Sequence, residues 1–263
     1  MQPGSVVLIT GASSGIGQAM AVACAGRGWQ VAGTARNSTS LAETQARILA
    51  LPDPHGDFLP IAADVRDPDA MHDAVRQTVE HFGRLDLLVA NAGVGHRGGI
   101  ADAEWGDLDL LLRTNIDGVL HSVRAAVPAM RASGQGGHIV LISSVVHNMT
   151  APYAAAYAAS KAFVSSLARS LRLELEADDI FVTDMWIGRT ETQFSERRLG
   201  TPSRASSGGL PEMSAQTVAE GIINAVQQKR RGGALRWIDR LLLLANRLIP
   251  TRIGRRALRQ YKP

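Results

Sequence analysis

Two side chains that can exchange protons lie four positions apart, at Tyr157 and Lys161. In a helix, residues at i and i+4 share a face, so this spacing places the Lys161 ammonium near the Tyr157 phenol. Free tyrosine has a pKa of ~10 and is a poor acid or base at neutral pH, but a neighbouring cation stabilises its phenolate. The pair therefore predicts a general acid–base centre in which Lys161 lowers the pKa of Tyr157.

A glycine-rich turn follows the first apolar run of the chain and has glycines at positions 11, 15 and 17. Gly11 and Gly15 allow the backbone to turn tightly and to approach a pyrophosphate. Gly17 allows the next helix to pack closely on a sheet, with its N-terminal N–H groups facing the anion. The residues predicted to contact a dinucleotide here are Gly11, Ser13, Ser14, Gly15, Ile16 and Gly17.

The end of the second apolar run bears on which dinucleotide is preferred. An acid about 20 residues after the glycine turn would bind the ribose hydroxyls and repel a 2′-phosphate. Ala35 occupies that position here, and Arg36 follows it. A guanidinium can hold a phosphate through two charge-assisted hydrogen bonds, so Arg36 favours NADP(H). NAD(H) is the alternative if Arg36 is simply solvated.

These residues must be positioned by elements that alternate along the chain between short apolar runs and stretches of helical periodicity. The predicted strands are Val6–Thr10, Gln30–Ala35, Asp57–Ala63, Leu85–Ala90, His138–Ser143 and Ile180–Met185. The predicted helices are Gly15–Gly28, Ser40–Ala50, Pro68–Phe82, Ala103–Arg131 and Ala154–Ala177. This alternation predicts a single-domain α/β fold, a doubly wound, Rossmann-like parallel sheet with helices on both faces. A ligand would bind beyond the carboxyl ends of the strands.

In order and spacing, these motifs resemble the short-chain dehydrogenase/reductase family. The resemblance includes the glycine turn, the Asn91–Gly93 segment after the fourth strand, and Ser144, thirteen residues before Tyr157. It implies that Ser144 holds the substrate oxygen and stabilises developing charge. It also implies that Asn115 supports a water-linked proton path to Lys161, which itself holds the nicotinamide ribose.

The resemblance implies further cofactor contacts. Asp64 and Val65 would contact the adenine, although Asp64 has a helix or turn cap as its alternative role. Asn91, Ala92 and Gly93 would support the sheet beside the adenine. Gly188 and Thr192 match the family's Pro-Gly-x-x-x-Thr element, in which Ile187 replaces the proline here. Thr192 would hydrogen-bond the nicotinamide amide.

Several segments are expected to surround the substrate. His147, close to Ser144, is predicted either to hydrogen-bond the substrate or only to fill space. The segment 194–213, rich in Ser, Gly and Arg, is predicted to form a lid. His96 and Arg97 are predicted to be solvated loop residues.

The expected reaction is hydride transfer between NADP(H) and an apolar carbonyl compound or secondary alcohol, with Tyr157 giving or taking the proton. A 3-oxoacyl-carrier-protein reductase is an alternative, which the absence of a Val-Asp-Gly-Gly-like ending weakens. The alternative from another class is a non-catalytic cofactor-binding scaffold or sensor. The intact set of catalytic-type residues, Asn115, Ser144, Tyr157 and Lys161, argues against that alternative.

The composition is that of a soluble globular chain, with 45% hydrophobic and 20% charged residues. Cys24 is the single cysteine, which excludes an internal disulfide and a Cys-x-x-Cys metal site. The N-terminal segment lacks a signal-peptide pattern, and no apolar run is long enough for a membrane span. A cytoplasmic location is therefore expected.

The last part of the chain differs from the rest in charge. Residues 229–263 contain eleven Lys and Arg residues and one acid, Asp239. Helical periodicity here predicts an apolar stripe of Ile238, Leu241, Leu242, Ala245, Leu248 and Ile249. The sequence thus divides into a dinucleotide-binding catalytic domain, 1–228, and a basic amphipathic C-terminal extension, 229–263.

A basic amphipathic helix can lie on an anionic membrane, so peripheral membrane contact through residues 235–249 is one prediction. Packing on the body of the protein, covering the pocket and meeting a partner subunit are the alternatives. No nucleic-acid-reading module is recognisable, so nucleic acid is not an expected partner. The family resemblance implies a homodimer or higher homo-oligomer through the helices at 103–131 and 154–177.

Overall fold

A computed structural model describes residues 1–200 and 211–261 of the chain. The strands are β1 (Val6–Thr10), β2 (Gln30–Ala35), β3 (Phe58–Ala62), β4 (Leu87–Ala90), β5 (His96–Arg97), β6 (Gly137–Ser144), β7 (Ile180–Ile187), β8 (Thr190–Glu191), β9 (Leu199–Gly200), β10 (Met213–Ser214) and β11 (Gly232–Ala234). The helices are α1 (Gly15–Ala25), α2 (Ala42–Leu49), α3 (Pro68–Phe82), α4 (Trp105–Leu112), α5 (Gly118–Ser133), α6 (Ala155–Glu174), α7 (Ala215–Gln227), α8 (Trp237–Leu248) and α9 (Pro250–Tyr261).

In the described part of the chain, seven parallel strands form the main sheet in the order β11-β7-β6-β4-β1-β2-β3. The chain builds β1, β2 and β3 outward in one direction, then crosses to β4 on the other side of β1. The order therefore reverses between β1 and β4, and the carboxyl ends of these two strands border the crevice where such sheets bind ligands. The predicted doubly wound, Rossmann-like fold is confirmed.

The core lies on both faces of the sheet because successive strand residues point to opposite sides. On β1, Val7 and Ile9 pack into the cluster beside α1 and α7, whereas Leu8 packs into the cluster beside α3, α5 and α6. All three side chains are fully buried, and each such burial contributes roughly 1.5–3 kcal/mol. Cys24 of α1 belongs to the first cluster, and its burial raises the pKa of the thiol.

One strand of the sheet, β11, and one helix that packs on it, α7, were not predicted. Helix α7 packs on α1 through an apolar face that includes Val218, Ile222 and Ile223. Strand β11 then pairs in parallel with β7 at the edge of the sheet. The segment assigned to the C-terminal extension thus begins with a strand of the main sheet and continues into α8 and α9.

The predicted helix 103–131 is interrupted in the structure. Helix α4 ends at Leu112, a π-helical turn covers Arg113–Asp117, and α5 follows from Gly118. A π-turn widens the backbone ladder locally, and such turns are frequent at functional sites. The side chain that this turn directs inward is Asn115, which is fully buried.

The apolar stripe predicted in the extension lies on a helix, and part of it is exposed. Leu241 and Leu248 of α8 are exposed, whereas Asp239 and Asn246 of the same helix are buried. Hydrogen bonds to the body of the protein fix this orientation, as described below. Among the described residues no helix is both long enough and apolar enough to cross a bilayer. Residues 201–210 of the predicted lid lie outside the described residues.

Candidate active site

The glycine turn after β1 has the geometry of an anion cradle. Gly11 and Gly15 have φ values of +69° and +55°, in the left-handed region that favours glycine. A Cβ on Gly17 would lie 2.1 Å from the Gly11 carbonyl oxygen, so α1 approaches the turn too closely for any side chain. Ser14, the N-cap of α1, makes no side-chain cap hydrogen bond. The first-turn N–H groups of α1 thus fit a pyrophosphate, which Gly15, Ile16 and Gly17 would hold.

Hydrogen bonds of Asn91 connect the ends of β1 and β4 next to this turn. Its Nδ2 donates to the carbonyl oxygens of Thr10, at 2.9 Å, and Gly11, at 3.3 Å. The Thr10 hydroxyl oxygen in turn accepts from the backbone N–H groups of Asn91 and Ala92, both at 3.0 Å. The segment that was predicted to support the sheet therefore does so by fixing the glycine turn.

Two guanidinium groups lie at the carboxyl ends of β2 and β3. Arg36 is exposed directly after β2, next to the buried Ala35. Arg66 holds the Asp64 carboxylate, with 2.6 Å between its Nη2 and Asp64 Oδ2. The hydrogen bonds from Arg66, together with the field of Arg36, hold the pKa of Asp64 below its usual value. Arg66 was not singled out from the sequence.

Asp64 and Val65 are placed by local packing. The Asp64 carboxylate also accepts from the Arg66 backbone N–H at 3.0 Å, which is the turn-capping geometry given as its alternative role. Val65 is buried, and a Cβ on Gly118 would lie 2.6 Å from its Cγ2. The N-terminus of α5 therefore closely approaches the segment that follows β3, since glycine stands at position 118.

Helix α6 carries Tyr157 and Lys161 on one face, as their spacing predicts. The buried Lys161 donates from Nζ to the carbonyl oxygen of Ile142 at 2.8 Å, and this Nζ lies 5.9 Å from the centre of the Tyr157 ring. Burial lowers the pKa of Lys161 to about 8, and the negative charge of Asp184 opposes this shift. Asp184 is itself buried, on β7.

The surroundings of Tyr157 include groups that raise the pKa of its phenol and groups that lower it. Burial raises the pKa of Tyr157, whereas a hydrogen bond with Ser144 and the positive charge of Arg198 lower it. Burial has the largest effect, so the pKa of Tyr157 is raised, and the prediction that Lys161 lowers it is wrong; the charge that opposes the increase comes from Arg198, which was not predicted. No local pattern marks Arg198, because it reaches Tyr157 from a distant part of the chain.

The structure distinguishes the two serines at the end of β6. Ser143 is buried, and both hydrogen bonds of its hydroxyl go to α6. The hydroxyl donates to the Lys161 carbonyl oxygen at 2.9 Å and accepts from the Ser165 hydroxyl at 2.8 Å. Ser144 instead contacts Tyr157, and its hydroxyl donates to the Ile187 carbonyl oxygen at 3.1 Å. The second serine is therefore the one beside the phenol.

Asn115 connects the turn after β4 to α6. Its Oδ1 accepts from the Val94 N–H at 2.8 Å, and its Nδ2 donates to the Val94 carbonyl oxygen at 2.9 Å and the Ser160 hydroxyl at 3.0 Å. A Cβ on Gly93 would lie 3.1 Å from Asn115 Oδ1 and 3.5 Å from Lys161 Nζ. Gly93 thus leaves open the space between the two polar groups.

Aromatic side chains surround the Ser144–Tyr157 pair. The His147 ring lies 4.7 Å from the Trp186 ring, centre to centre, and its Nδ1 donates to the Ser144 carbonyl oxygen at 2.8 Å. The Phe194 ring lies 5.9 Å from the ring of Tyr157. The wall around the reacting position is therefore largely aromatic, with His147 Nε2 as a further hydrogen-bonding atom.

The start of the predicted lid, residues 194–200, packs against the turn after β4. Strand β9 pairs with β5, and the Leu199 N–H donates to the Gly95 carbonyl oxygen at 2.9 Å. His96 is buried beneath this contact, so the prediction that it is a solvated residue is wrong. Neither of its ring nitrogens has a hydrogen-bond partner within the described residues.

Gly188 and Thr192, which match the Pro-Gly-x-x-x-Thr element after β7, have different surroundings. A Cβ on Gly188 would lie 2.6 Å from Asp239 Oδ2, so this glycine makes room for an ion pair that α8 contributes. Thr192 lies over the glycine turn, with its Cγ2 3.2 Å from where a Cβ on Gly15 would be. Thr192 therefore borders the anion cradle, whereas Gly188 borders the C-terminal helix.

Asp184 was also missed, although the sequence holds a signal for it. An acid in the middle of the apolar strand Ile180–Ile187 has no solvent to reach and needs partners. One carboxylate oxygen of Asp184 accepts from Trp186 Nε1 at 2.6 Å. The carboxylate thereby supplies a negative charge behind Lys161.

Known proteins share this arrangement. A family profile described as short chain dehydrogenase matches residues 5–201. The chain is 36% identical over 241 residues to 11-beta-hydroxysteroid dehydrogenase 1A of Arabidopsis thaliana, covering 87% of the chain and 67% of that protein. It is 34% identical over 219 residues to sulfoacetaldehyde reductase 2 of Chromohalobacter salexigens, covering 82% and 85%.

A solved structure of a short chain dehydrogenase from Mycobacterium paratuberculosis, bound to NAD, is also similar. The TM-score is 0.76 at 26% identity, over 88% of this chain and 95% of that one. One of these relatives is named as a hydroxysteroid dehydrogenase, which oxidises an alcohol, and the other as an aldehyde reductase, which reduces a carbonyl group. The chain therefore belongs to the short-chain dehydrogenase family, whose oxidoreductases act on alcohols and carbonyl compounds.

Proposed function

We propose that this protein is an NADP(H)-dependent oxidoreductase that interconverts an apolar carbonyl compound and the corresponding secondary alcohol. The observation that carries the proposal is the contact of Ser144 with Tyr157, close to the buried Lys161 and Asn115. A nicotinamide cofactor is supported by the anion cradle at the glycine turn and by the NAD-bound structure of a relative.

The residues of the site have distinct tasks in this mechanism. Gly15, Ile16 and Gly17 would hold the pyrophosphate of a dinucleotide, which when bound would supply or accept the hydride. During reduction, Tyr157 donates its proton to the substrate oxygen, and the Ser144 hydroxyl positions that oxygen and stabilises its developing charge. Lys161 and Asn115 border the opening that Gly93 leaves, where a proton can return to Tyr157. Oxidation follows the same steps in reverse.

The preference for NADP(H) rests on Arg36. It follows β2 directly, where Ala35 offers no carboxylate to repel a 2′-phosphate. Its positive charge acts on Asp64, so it faces the adenosine end of the crevice, near Arg66. Two guanidiniums at this end favour the more negative dinucleotide.

The apolar character of the substrate is supported by Phe194, which lies beside the Tyr157 ring, and by the stacked pair of His147 and Trp186, of which His147 is bonded to the Ser144 carbonyl oxygen. A steroid-metabolising relative is consistent with such a wall. Ketone steroids, aliphatic ketones, 3-oxoacyl thioesters and an anionic sulfoaldehyde form a suitable panel. The anionic member tests the effect of the Arg198 charge, and the thioesters test the carrier-protein alternative.

Tyr157→Phe is the test of the chemistry. With the best substrate of this panel and NADPH, it should lower kcat by about 10²- to 10⁴-fold, because the substrate oxygen loses its proton donor. The dissociation constant for NADPH, measured by fluorescence titration, should stay within about twofold, since the phenol does not touch the phosphate cradle. Wild-type turnover in this variant would contradict the proposal, and so would the absence of turnover in the wild type with every substrate.

Arg36→Ala tests the cofactor preference separately. Loss of charge-assisted hydrogen bonds to a phosphate should weaken NADPH binding by about 10- to 100-fold and leave NADH binding nearly unchanged. Arg76→Ala, on the exposed face of α3, is the matched control and should affect neither cofactor. Equal weakening of both cofactors by Arg36→Ala would refute the role in phosphate recognition.

A further inference from the structure

Helix α8 exposes a row of large apolar side chains and buries two polar side chains on the opposite face. Trp237, Leu241, Leu244 and Leu248 follow helical spacing along one face, and their exposed fractions are 71%, 53%, 54% and 72%. The opposite face, directed at the protein, carries Asp239 and Asn246, which are 1% and 6% exposed. A helix of a soluble domain ordinarily has the reverse arrangement.

Specific polar contacts hold α8 in this orientation. The Asn246 amide donates to the Asn148 carbonyl oxygen at 2.8 Å and accepts from the Thr150 N–H at 3.2 Å. Asp239 pairs with Arg236 at the start of the same helix, with 2.8 Å between Nη2 and Oδ1, and Arg236 Nη1 donates to the Pro211 carbonyl oxygen. Rotating the helix to bury its leucines would break the hydrogen bonds to Asn148, Thr150 and Pro211 and leave buried polar groups unpaired, which is costly. The exposed apolar face is therefore a fixed feature of the fold.

Positive charge surrounds this face. Arg240 and Arg247 lie along one flank of the leucines on α8, and Arg252, Arg255, Arg256 and Arg259 are exposed on α9. Through the part of the chain that the structure describes, none of these six side chains forms an ion pair. An apolar ridge beside unpaired cations is complementary to a surface that offers both hydrocarbon and negative charge.

We propose that α8 and α9 bind the surface of a bilayer that contains anionic phospholipids. Helix α8 lies in the plane of the membrane, with Trp237, Leu241, Leu244 and Leu248 among the upper acyl chains and the arginines at the phosphate level. Twelve residues extend about 18 Å, which suits a helix that lies on the bilayer rather than across it.

This placement brings the candidate active site to the membrane side of the molecule. Asn246 of α8 is bonded to the loop that follows Ser144, and the Arg236–Asp239 pair packs against Gly188. Both substrate-side loops therefore rest on the helix that faces the bilayer. An apolar substrate dissolved in the membrane would have a short path to Tyr157.

The test uses the full chain and vesicles of phosphatidylcholine, with or without phosphatidylserine, in a co-sedimentation assay. We expect binding to the vesicles that contain phosphatidylserine and binding at least about tenfold weaker to phosphatidylcholine alone. The double variant Leu241→Ser/Leu244→Ser should weaken binding by about a hundredfold, since each leucine leaves the acyl region. Leu49→Ser, an equally exposed leucine on α2, should have no effect.

A second pair of variants tests the charge. Arg252→Gln/Arg255→Gln should weaken binding to phosphatidylserine vesicles about twentyfold, whereas Arg76→Gln on α3 should leave it unchanged. Unfolding temperatures of all variants should match the wild type, because every substituted side chain is exposed.

Two outcomes would overturn the proposal. Wild-type binding by Leu241→Ser/Leu244→Ser would exclude α8 as the contact. Self-association of the wild type that this double variant abolishes, without binding to either vesicle, would assign the apolar face to a second copy of the chain.

Discussion

The protonation of Lys161 depends on a carboxylate from a different element, Asp184 of β7. Burial lowers the pKa of Lys161 to about 8, and Asp184 keeps it from falling further. A lysine in this position is therefore partly neutral just above neutral pH. Its charge is present below a pH of about 8 and is lost as the pH rises through that value.

Asp184→Asn should shift the pH profile of the reaction. The amide removes the negative charge but can still accept the hydrogen bond from Trp186, so the pKa of Lys161 should fall below about 8. In the reducing direction, which needs the protonated site, the alkaline decline of kcat/KM should therefore begin at lower pH. Asp178→Asn, at an exposed ion pair with Arg131, is the control. An unchanged profile would mean that Asp184 has only a structural role.

At the residue scale, the sequence predicts positions whose partners are set by local spacing. The Tyr157–Lys161 pair could be predicted from the helical repeat alone. Asn91 and Asn115 could be predicted from their places in known motifs. Arg198 affects the pKa of Tyr157, and Asp184 affects the pKa of Lys161. Both lie far from the pair in the chain, so their spacing in the sequence does not predict these effects. The roles of the predicted residues in binding and catalysis stay predictions until the variants above are measured.

The elements of the sheet were predictable because their burial leaves a simple pattern. Strands such as β1, with four consecutive aliphatic residues before Thr10, have the near-continuous apolar pattern of a parallel sheet that is covered on both faces. Helix α7 has apolar positions at helical spacing, including Val218 and Ile222, yet it was not predicted. Strand β11 has only two glycines and an alanine, so it carries no strand signal of its own and is defined by pairing with β7.

Helix α8 shows what amphipathic patterning cannot decide. The pattern correctly indicates a helix near residues 235–249, but it leaves open whether the apolar side faces the protein or the outside. In the structure, the hydrogen-bond partners of Asn246 and the ion pair of Asp239 determine the buried side. The partners of Asn246, which are Asn148 and Thr150, gain their places only from the tertiary fold.

Over the whole molecule, further exposed apolar side chains lie on α4 and α6, the helices through which a homodimer is expected. Trp105 and Leu173 are 72% and 76% exposed, and Leu112 and Phe163 lie on the same two helices. Large apolar side chains in this number on two neighbouring helices suit a subunit interface.

Phe163→Glu is expected to convert a dimer into a monomer, because a carboxylate at the centre of an apolar interface would lose its water without gaining a partner. Sedimentation equilibrium would show the mass per particle falling by half. Leu49→Glu on α2 introduces the same charge on a face outside α4 and α6 and should leave the dimer intact. A wild-type protein that sediments as a monomer would contradict the prediction.

The burial of Cys24 has a practical consequence for labelling chemistry. The single thiol of the chain is buried, and its raised pKa keeps it protonated, so no thiolate is available to attack a maleimide. The native sequence thus behaves towards such reagents as if it contained no cysteine. A cysteine introduced at any exposed position, on α8 or on α6, would carry the sole fluorophore or spin label without prior removal of Cys24.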